Sequence, residues 1–404
     1  MPLTTIDKPS LSIVADENIP FVREFFSSMG TVATYPGREM QAAHVAQADV
    51  LLVRSVTSVN RQLLENSSVK FIGTCTIGTD HLDQEFLRER GIGFHSAPGC
   101  NANSVVEYVL SVLADLKPDW QSASFGIVGC GNVGGRLYRK LSALGLPVSV
   151  YDPFLSADSQ ADLGGLDQAL AADVVCLHTP LTIEGAHPSR HLLNEARLRQ
   201  LRPGSVLINA GRGPVIDNQA LKAVLNERSD LTVALDVWEP EPALDIDLLN
   251  QVQRATPHIA GYSFDGKVEG TAMIYRALCQ YLGVEPQINA AQLLRGDSSN
   301  RQSLALEAFD GTEQEIINQA ILAAYRVADD DQRTRDLLTT EGCRLDSDVL
   351  AQNFDRLRKT YPKRREFPCF EIDSLPNHLS QKEKKSLSKT LATLGFTLAS
   401  REES

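Results

Sequence analysis

The sequence predicts an α/β protein built on parallel sheets, one of them doubly wound, and three observations carry that expectation. Short apolar runs of strand length alternate with helix-period segments from Leu11 to about Ala260. A glycine turn, Gly129-Cys130-Gly131-Asn132-Val133-Gly134, joins one such run to a helical pattern. Later runs each stop at a polar cluster, as strands do when their carboxyl ends open on a ligand cleft.

In chain order, Leu11–Ala15, Val50–Val53, Val69–Ile72 and Ile92–His95 read as strands of a first small parallel sheet. Asn103 is the expected N-cap of a helix that carries Val105, Val106, Val109, Leu110, Val112 and Leu113, too apolar all round to lie on a surface. Phe125–Val128 is a buried strand, Asn132–Leu144 a helix stopped by Gly145, and Val148–Tyr151 the next strand, with Asp152 just past its end. Val174–Leu177, Val206–Ile208 and Leu231–Leu235 continue the sheet. Their trailing clusters, His178-Thr179-Pro180, Asn209-Ala210-Gly211-Arg212-Gly213 and Asp236-Val237-Trp238, are expected to face the cleft. Past Gly283 the texture changes, with a polar linker over Asp297–Ser303 and basic runs at Lys363-Arg364-Arg365 and Lys382–Lys385. Apolar residues still recur there, and Phe370-Glu371-Ile372 reads as a strand, so the last hundred or so residues are expected to form a further α/β unit.

Composition narrows the function. At 404 residues with 43% hydrophobic and 22% charged, two or three globular domains are expected. A net charge of −12 argues against a nucleic-acid partner, and an anionic substrate would have to meet a local cluster of Arg or Lys. The seven cysteines are scattered without a C-x-x-C pair, so neither a disulfide framework nor a metal site is expected. Met1–Ser10 has no apolar leader and no stretch is long and apolar enough to span a bilayer, which reads as a cytoplasmic protein with no membrane partner.

The glycine turn sits between a strand and a helix with an acid at the end of the following strand, the context in which it binds a dinucleotide. Gly129, Gly131 and Gly134 shape the turn, Asn132 and Val133 present N–H groups to a pyrophosphate at the helix N-terminus, and Asp152 accepts from the ribose hydroxyls. Pro153 and Phe154 offer no cation for a 2′-phosphate, which favours NAD over NADP. For chemistry, Arg212, Glu241 and His258 stand out. Oxidising a secondary alcohol needs a base for the hydroxyl proton, a carboxylate can fix the imidazole tautomer, and a guanidinium can hold a substrate carboxylate in two bonds.

The segments holding those three, Asn209-Ala210-Gly211-Arg212-Gly213, Asp236-Val237-Trp238-Glu239-Pro240-Glu241-Pro242 and Thr256-Pro257-His258-Ile259-Ala260-Gly261, resemble in order and spacing the three signatures of the D-2-hydroxyacid dehydrogenase family. The resemblance implies that Arg212 binds the substrate carboxylate, His258 is the acid/base, and Glu241 rather than Glu239 polarises it. It implies Thr179, Ala210, Gly211, Arg212, Asp236 and Gly261 as further NAD contacts, with Asp236 accepting from the carboxamide. It also implies an architecture: a Rossmann-type NAD domain (103–263) inserted in a flavodoxin-like substrate domain (1–102 and 264–285), followed by a C-terminal α/β dimerisation domain (286–404) and hence a homodimer.

Within the family, the likeness is to members that act on a phosphorylated hydroxy acid. Val14–Pro20, Val53-Arg54-Ser55-Val56-Thr57, Gly73–His81 and Ala97–Ala102 are similar to their N-terminal motifs, and Phe354–Tyr361 with Arg364-Arg365-Glu366 to their tail. Ser55, Thr76 and Tyr262 are then implied substrate contacts, with Arg54 and Arg38 as candidate cations for the phosphate. The Lys363-Arg364-Arg365 run reads as a solvated face. Two departures stand out: the link Leu116–Ser124 is short for the family, and Gly211 stands where many members carry Cys.

Overall fold

The computed structural model describes residues 11–156, 162–296, 302–339 and 346–399. The leader reading of Met1–Ser10, most of the expected Asp297–Ser303 linker, and Cys343 lie outside those residues. The chain divides into two compact units, Met1–Asn101 with Phe264–Asn300, and Ala102–Ser263 with Arg301–Ser404. Among the described residues no helix is long and apolar enough to cross a membrane.

The first unit is a five-stranded parallel sheet: β1 (Leu11–Asp16), β2 (Gly30–Tyr35), β3 (Val50–Val53), β4 (Phe71–Thr74) and β5 (Gly93–His95), in the order β2-β1-β3-β4-β5. That is the flavodoxin-like 2-1-3-4-5 order. β3 and β4 are buried along their whole length, which explains their unbroken apolar runs. β2 was not among the expected strands because it is an edge strand in which only Val32 is buried. The helix Phe264–Leu282 returns to cover this sheet, and its Val268, Ala272, Ile274, Tyr275 and Leu278 share a core with Ile13, Leu52 and Phe71. The approach is close enough that a Cβ on Gly73 would lie 2.2 Å from Ile274 Cγ2.

The second unit holds a six-stranded parallel sheet of β6 (Phe125–Val128), β7 (Val148–Tyr151), β8 (Val174–Leu177), β9 (Val206–Asn209), β10 (Thr232–Leu235) and β11 (Arg254–Ala255), ordered β11-β10-β9-β8-β6-β7. The chain leaves β6 toward β7 on one side and continues to β8 on the other. The carboxyl ends of β6 and β8 therefore flank the switch point where doubly wound sheets bind ligands.

The C-terminal segment adds a parallel three-stranded sheet of β12 (Gln302–Ala305), β13 (Phe370–Ser374) and β14 (Thr397–Leu398), and it shares a core with the six-stranded sheet. The helix Ala102–Leu116 packs against both the helix Asn132–Ala143 and the C-terminal helix Glu313–Ala324. Twelve of its fifteen residues are buried, which accounts for its apolar circumference. Asn103 is not its N-cap. The helix already includes Ala102, and the Asn103 amide instead donates to Glu107 and Glu366 at 2.8 Å each.

The short link after this helix is anchored rather than loose. Trp120 is fully buried with its Nε1–H on Asn318 Oδ1 at 2.8 Å, and the Pro118 carbonyl accepts from Gln314 and Asn318. Of the basic run expected to be a solvated face, Lys363 is exposed, but Arg364 and Arg365 are 6% and 5% exposed. The Arg364 guanidinium stacks over Tyr325 and donates to two backbone carbonyls.

Candidate active site and family

The cleft at the ends of β9 and β10 is built by backbone fit before any side chain acts. Asn209, fully buried at the end of β9, accepts from Gly211 N and donates to the Arg212 carbonyl, at 3.1 and 3.0 Å. This staple fixes the turn that carries Arg212. Gly213 then lies flat against the next signature, where a Cβ would be 1.8 Å from the Trp238 carbonyl oxygen. Trp238 is 2% exposed and donates from Nε1 to the Thr256 carbonyl at 2.9 Å, which ties this loop to the one bearing His258.

Glu241 and His258 face each other across that junction. Glu241 Oε1 accepts from Trp238 N at 2.9 Å, and Oε2 pairs with His258 Nδ1 at 2.9 Å. A carboxylate can only accept, so Nδ1 carries the proton and Nε2 is the nitrogen left to exchange one with a ligand. His258 has a backbone φ of +58°, the left-handed region that is strained for a non-glycine residue. Its amide is held by the Asp236 carbonyl at 2.7 Å, and the next two amides, Ile259 and Ala260, donate to the two Asp236 carboxylate oxygens at 2.8 and 2.9 Å. Thr256 adds a third donor at 2.6 Å. Asp236, expected to accept from a carboxamide, is thus 1% exposed and holds the His258 loop in its strained turn.

Arg212, Glu241 and His258 line one cavity of about 430 Å³ together with Arg190, Trp238, Glu239 and the apolar Leu181 and Ile183. Arg212 is exposed, donates to the neighbouring Gly211 carbonyl at 2.8 Å, and makes no salt bridge among the described residues. Glu239 is engaged elsewhere, with His191 Nε2 at 2.9 Å and Arg190 at 3.8 Å. Sequence reasoning missed this second histidine–carboxylate pair. No motif marks His191 or Arg190, whose place depends on how the loop after β8 folds back.

On the dinucleotide side, Gly129 has φ +90° and a Cβ there would lie 2.8 Å from Thr179 N, while a Cβ on Gly134 would lie 1.9 Å from the Gly129 carbonyl oxygen. Gly131 heads the helix Asn132–Ala143 with nothing within 4 Å of its missing side chain, an open cradle for a pyrophosphate on the first-turn amides of Asn132 and Val133. Asp152 accepts from Cys130 N at 2.9 Å and Phe154 N at 3.0 Å, bracing the turn it follows. Thr179 Oγ1 and both ring nitrogens of His178 are buried without a hydrogen-bond partner at the end of β8. Burial lowers the His178 pKa to about 4, so its ring is neutral at ordinary pH. Ala210 and Gly211 end β9, and any side chain on Gly211 would press on the backbone of Leu177, His178 and Thr179 at 3.1–3.3 Å. A glycine turn, an open helix N-terminus and an unpaired hydroxyl at the switch point fit a dinucleotide.

Of the implied substrate contacts, Tyr262 belongs to this unit, with its ring edge-on to Tyr361 at 5.8 Å and under the Arg358 guanidinium at 5.6 Å. Ser55, Arg54 and Thr76 belong to the first unit, at the carboxyl ends of β3 and β4. Ser55 is exposed, Arg54 pairs with the buried Asp16 at 3.0 Å, and Thr76 shares a hydrogen bond with Thr74 at 2.8 Å. Arg38 is exposed just past β2. Lys267, which sequence reasoning passed over, lies near Arg54 on the helix Phe264–Leu282. Desolvation first, and then the Arg54 charge, pull its pKa down.

Comparison with known proteins shows the family. Residues 113–260 match the family described as "D-isomer specific 2-hydroxyacid dehydrogenase, NAD binding domain", and residues 300–395 match a "Domain of unknown function (DUF3410)". The chain is 51% identical over 364 residues to an erythronate-4-phosphate dehydrogenase of Cellvibrio japonicus, covering 90% of this chain and 94% of that one. It is 47% identical to one of Teredinibacter turnerae, covering 96% and 100%. Among solved structures, an NAD⁺-bound 3-phosphoglycerate dehydrogenase of Entamoeba histolytica shares the fold at a TM-score of 0.54 and 23% identity, covering 69% of this chain and 99% of that one. So does a D-lactate dehydrogenase of Aquifex aeolicus complexed with NAD and lactic acid, at 0.52 and 22%, covering 67% and 96%. With its NAD-binding domain and near full-length likeness, the chain belongs to the erythronate-4-phosphate dehydrogenase family, within the D-isomer specific 2-hydroxyacid dehydrogenases.

Proposed function

We propose that this protein oxidises 4-phospho-D-erythronate to (R)-3-hydroxy-2-oxo-4-phosphooxybutanoate, a step toward pyridoxal 5′-phosphate (vitamin B6), and that it works in the cytoplasm as a homodimer. The observation that carries the chemistry is one cavity lined by an Arg212 without an acidic partner among the described residues and by the Glu241–His258 pair. The near full-length relatives support the choice of substrate.

The Arg212 guanidinium presents a fork that matches the C1 carboxylate. His258 Nε2 takes the C2 hydroxyl proton, and Glu241 stabilises the imidazolium that results. When bound, NAD supplies the hydride acceptor. Gly129, Gly131, Asn132, Val133 and Gly134 would hold its pyrophosphate, Asp152 its ribose, and Thr179, Ala210, Gly211, Arg212, Asp236 and Gly261 line its path along the strand ends. Ser55, Thr76 and Tyr262 are kept as the substrate contacts that the family resemblance implies, with Arg54 and Arg38 as the candidate cations for the phosphate.

The test is a comparison of kcat/KM for 4-phospho-D-erythronate, 3-phospho-D-glycerate and D-lactate with NAD. A preference for the first of at least about 100-fold, the discrimination a site built around polar contacts can reach, is expected. A preference for either of the others refutes the assignment.

A further inference from the structure

We propose that Arg364 and Glu366, in the C-terminal segment that matches a domain of unknown function, are positioning residues for the reaction, because they hold the loop that follows His258. The inference rests on the role proposed above for His258.

The catalytic loop is gripped from the C-terminal segment at both ends. Before His258, the amide of Ala255 donates to Asp331 Oδ1 at 2.7 Å, and Asp331 is itself oriented by Arg335 at 2.9 Å. After it, Arg364 Nη1 donates to the Ala260 carbonyl at 3.1 Å, and the Ser263 hydroxyl donates to Glu366 Oε1 at 2.6 Å. Between these anchors Tyr262 turns back, its amide on the Ile259 carbonyl at 2.8 Å and its ring against Tyr361 and Arg358.

Arg364 is an unusual choice for a merely structural brace. Its guanidinium lies 3.6 Å from the Tyr325 ring centroid, and Nη2 reaches the Ser104 carbonyl at 2.6 Å, so one buried fork ties the helix Ala102–Leu116 to the loop two residues past His258. A desolvated cation is costly, and well-packed apolar residues often stabilise as well or better. What the fork adds is direction: two carbonyls fixed relative to each other in one plane.

Direction matters because His258 sits at φ +58°. A non-glycine residue in that region is strained and keeps its conformation only when its surroundings over-determine it. Asp236 supplies the restraint from within the sheet, and Arg364 with Glu366 supplies it from the other side. Loosening the second restraint lets the backbone relax toward ordinary φ and carries the imidazole away from Glu241. A misplacement of about 1 Å can cost on the order of 100-fold in turnover.

The full-length protein is compared as wild type, Arg364→Lys, Ser263→Ala and Ser263→Thr. Each is assayed on whichever D-2-hydroxy acid the wild type oxidises, so a wrong substrate assignment changes the acid and leaves the ratios readable. Arg364→Lys keeps the charge and loses the fork, and kcat is expected to fall about tenfold or more. Ser263→Ala should lose roughly threefold to tenfold, and Ser263→Thr, which restores the hydroxyl, should return to within about twofold of wild type. Through all of this, NAD affinity and binding stoichiometry by calorimetry stay at wild-type values. Unchanged kcat in Arg364→Lys and Ser263→Ala overturns the proposal, as does a fall that only tracks the folded fraction reported by the NAD stoichiometry. If Arg364→Lys does not fold, the Ser263 pair decides: loss in Ala with rescue in Thr supports positioning, and equal rates in both refute it.

Discussion

Gly213 and Trp238 touch through backbone alone: a Cβ on the first would lie 1.8 Å from the carbonyl oxygen of the second. The turn bearing Arg212 and the loop bearing Glu241 are therefore set against each other before either side chain acts. Gly213→Ala is expected to push these loops apart, with kcat/KM lower by about 100-fold or more and a lowered Tm. Wild-type kinetics and melting in this variant would show that the contact is slack.

Glu241→Gln keeps the shape of the side chain and removes the charge that orients and supports the imidazole. By analogy with other carboxylate–histidine pairs, kcat should fall on the order of 10²- to 10⁴-fold, with calorimetric NAD affinity unchanged. A fall of less than about fivefold would mean that the pair at 2.9 Å is not used in turnover.

Arg212→Lys replaces a planar fork by a point charge. With no acidic side chain to neutralise it among the described residues, the guanidinium is available to a carboxylate, and the substitution should lower kcat/KM for the hydroxy acid by about 100-fold. Steady-state kinetics at saturating NAD measures this, and an unchanged value removes Arg212 from carboxylate binding.

His178 makes stability depend on pH. Its folded-state pKa of about 4 lies below the model-peptide value of 6.5, so between these values the unfolded chain binds the proton and the folded chain does not. Stability is therefore lost as pH falls from about 6.5 toward 4, by at most roughly 3 kcal/mol. Melting temperatures of wild type and His178→Gln at pH 7.5 and 4.5 should show a larger acid-induced drop in the wild type. Equal drops would mean the ring is solvated or paired.

The sequence made legible what local pattern determines. Apolar runs such as Val50–Val53 and Val174–Leu177 are strands because both faces of a parallel sheet are covered, and the glycine turn is readable because each glycine answers a local backbone demand. The edge strand β2 is half-solvated and shows no such run. Arg364 is illegible for a different reason: its partners, Ser104 and Ala260, lie 260 and 104 residues away, so nothing in the neighbouring basic residues marks it as buried. Asn103 follows the same rule, since Glu366 is 263 residues distant. At the site, the three signatures named Arg212, Glu241 and His258, whereas His191 and Arg190 reach the cleft region through a loop with no motif of its own.

The role of His258 as the base is decided by a single-turnover measurement of NADH formation from 4-phospho-D-erythronate by wild type and His258→Asn, with NAD binding followed by calorimetry. The rate in His258→Asn is expected to be at least about 1,000-fold lower, the upper range for loss of a general base, with NAD affinity within about twofold of wild type. A His258→Asn protein that forms NADH at the wild-type rate would contradict that role.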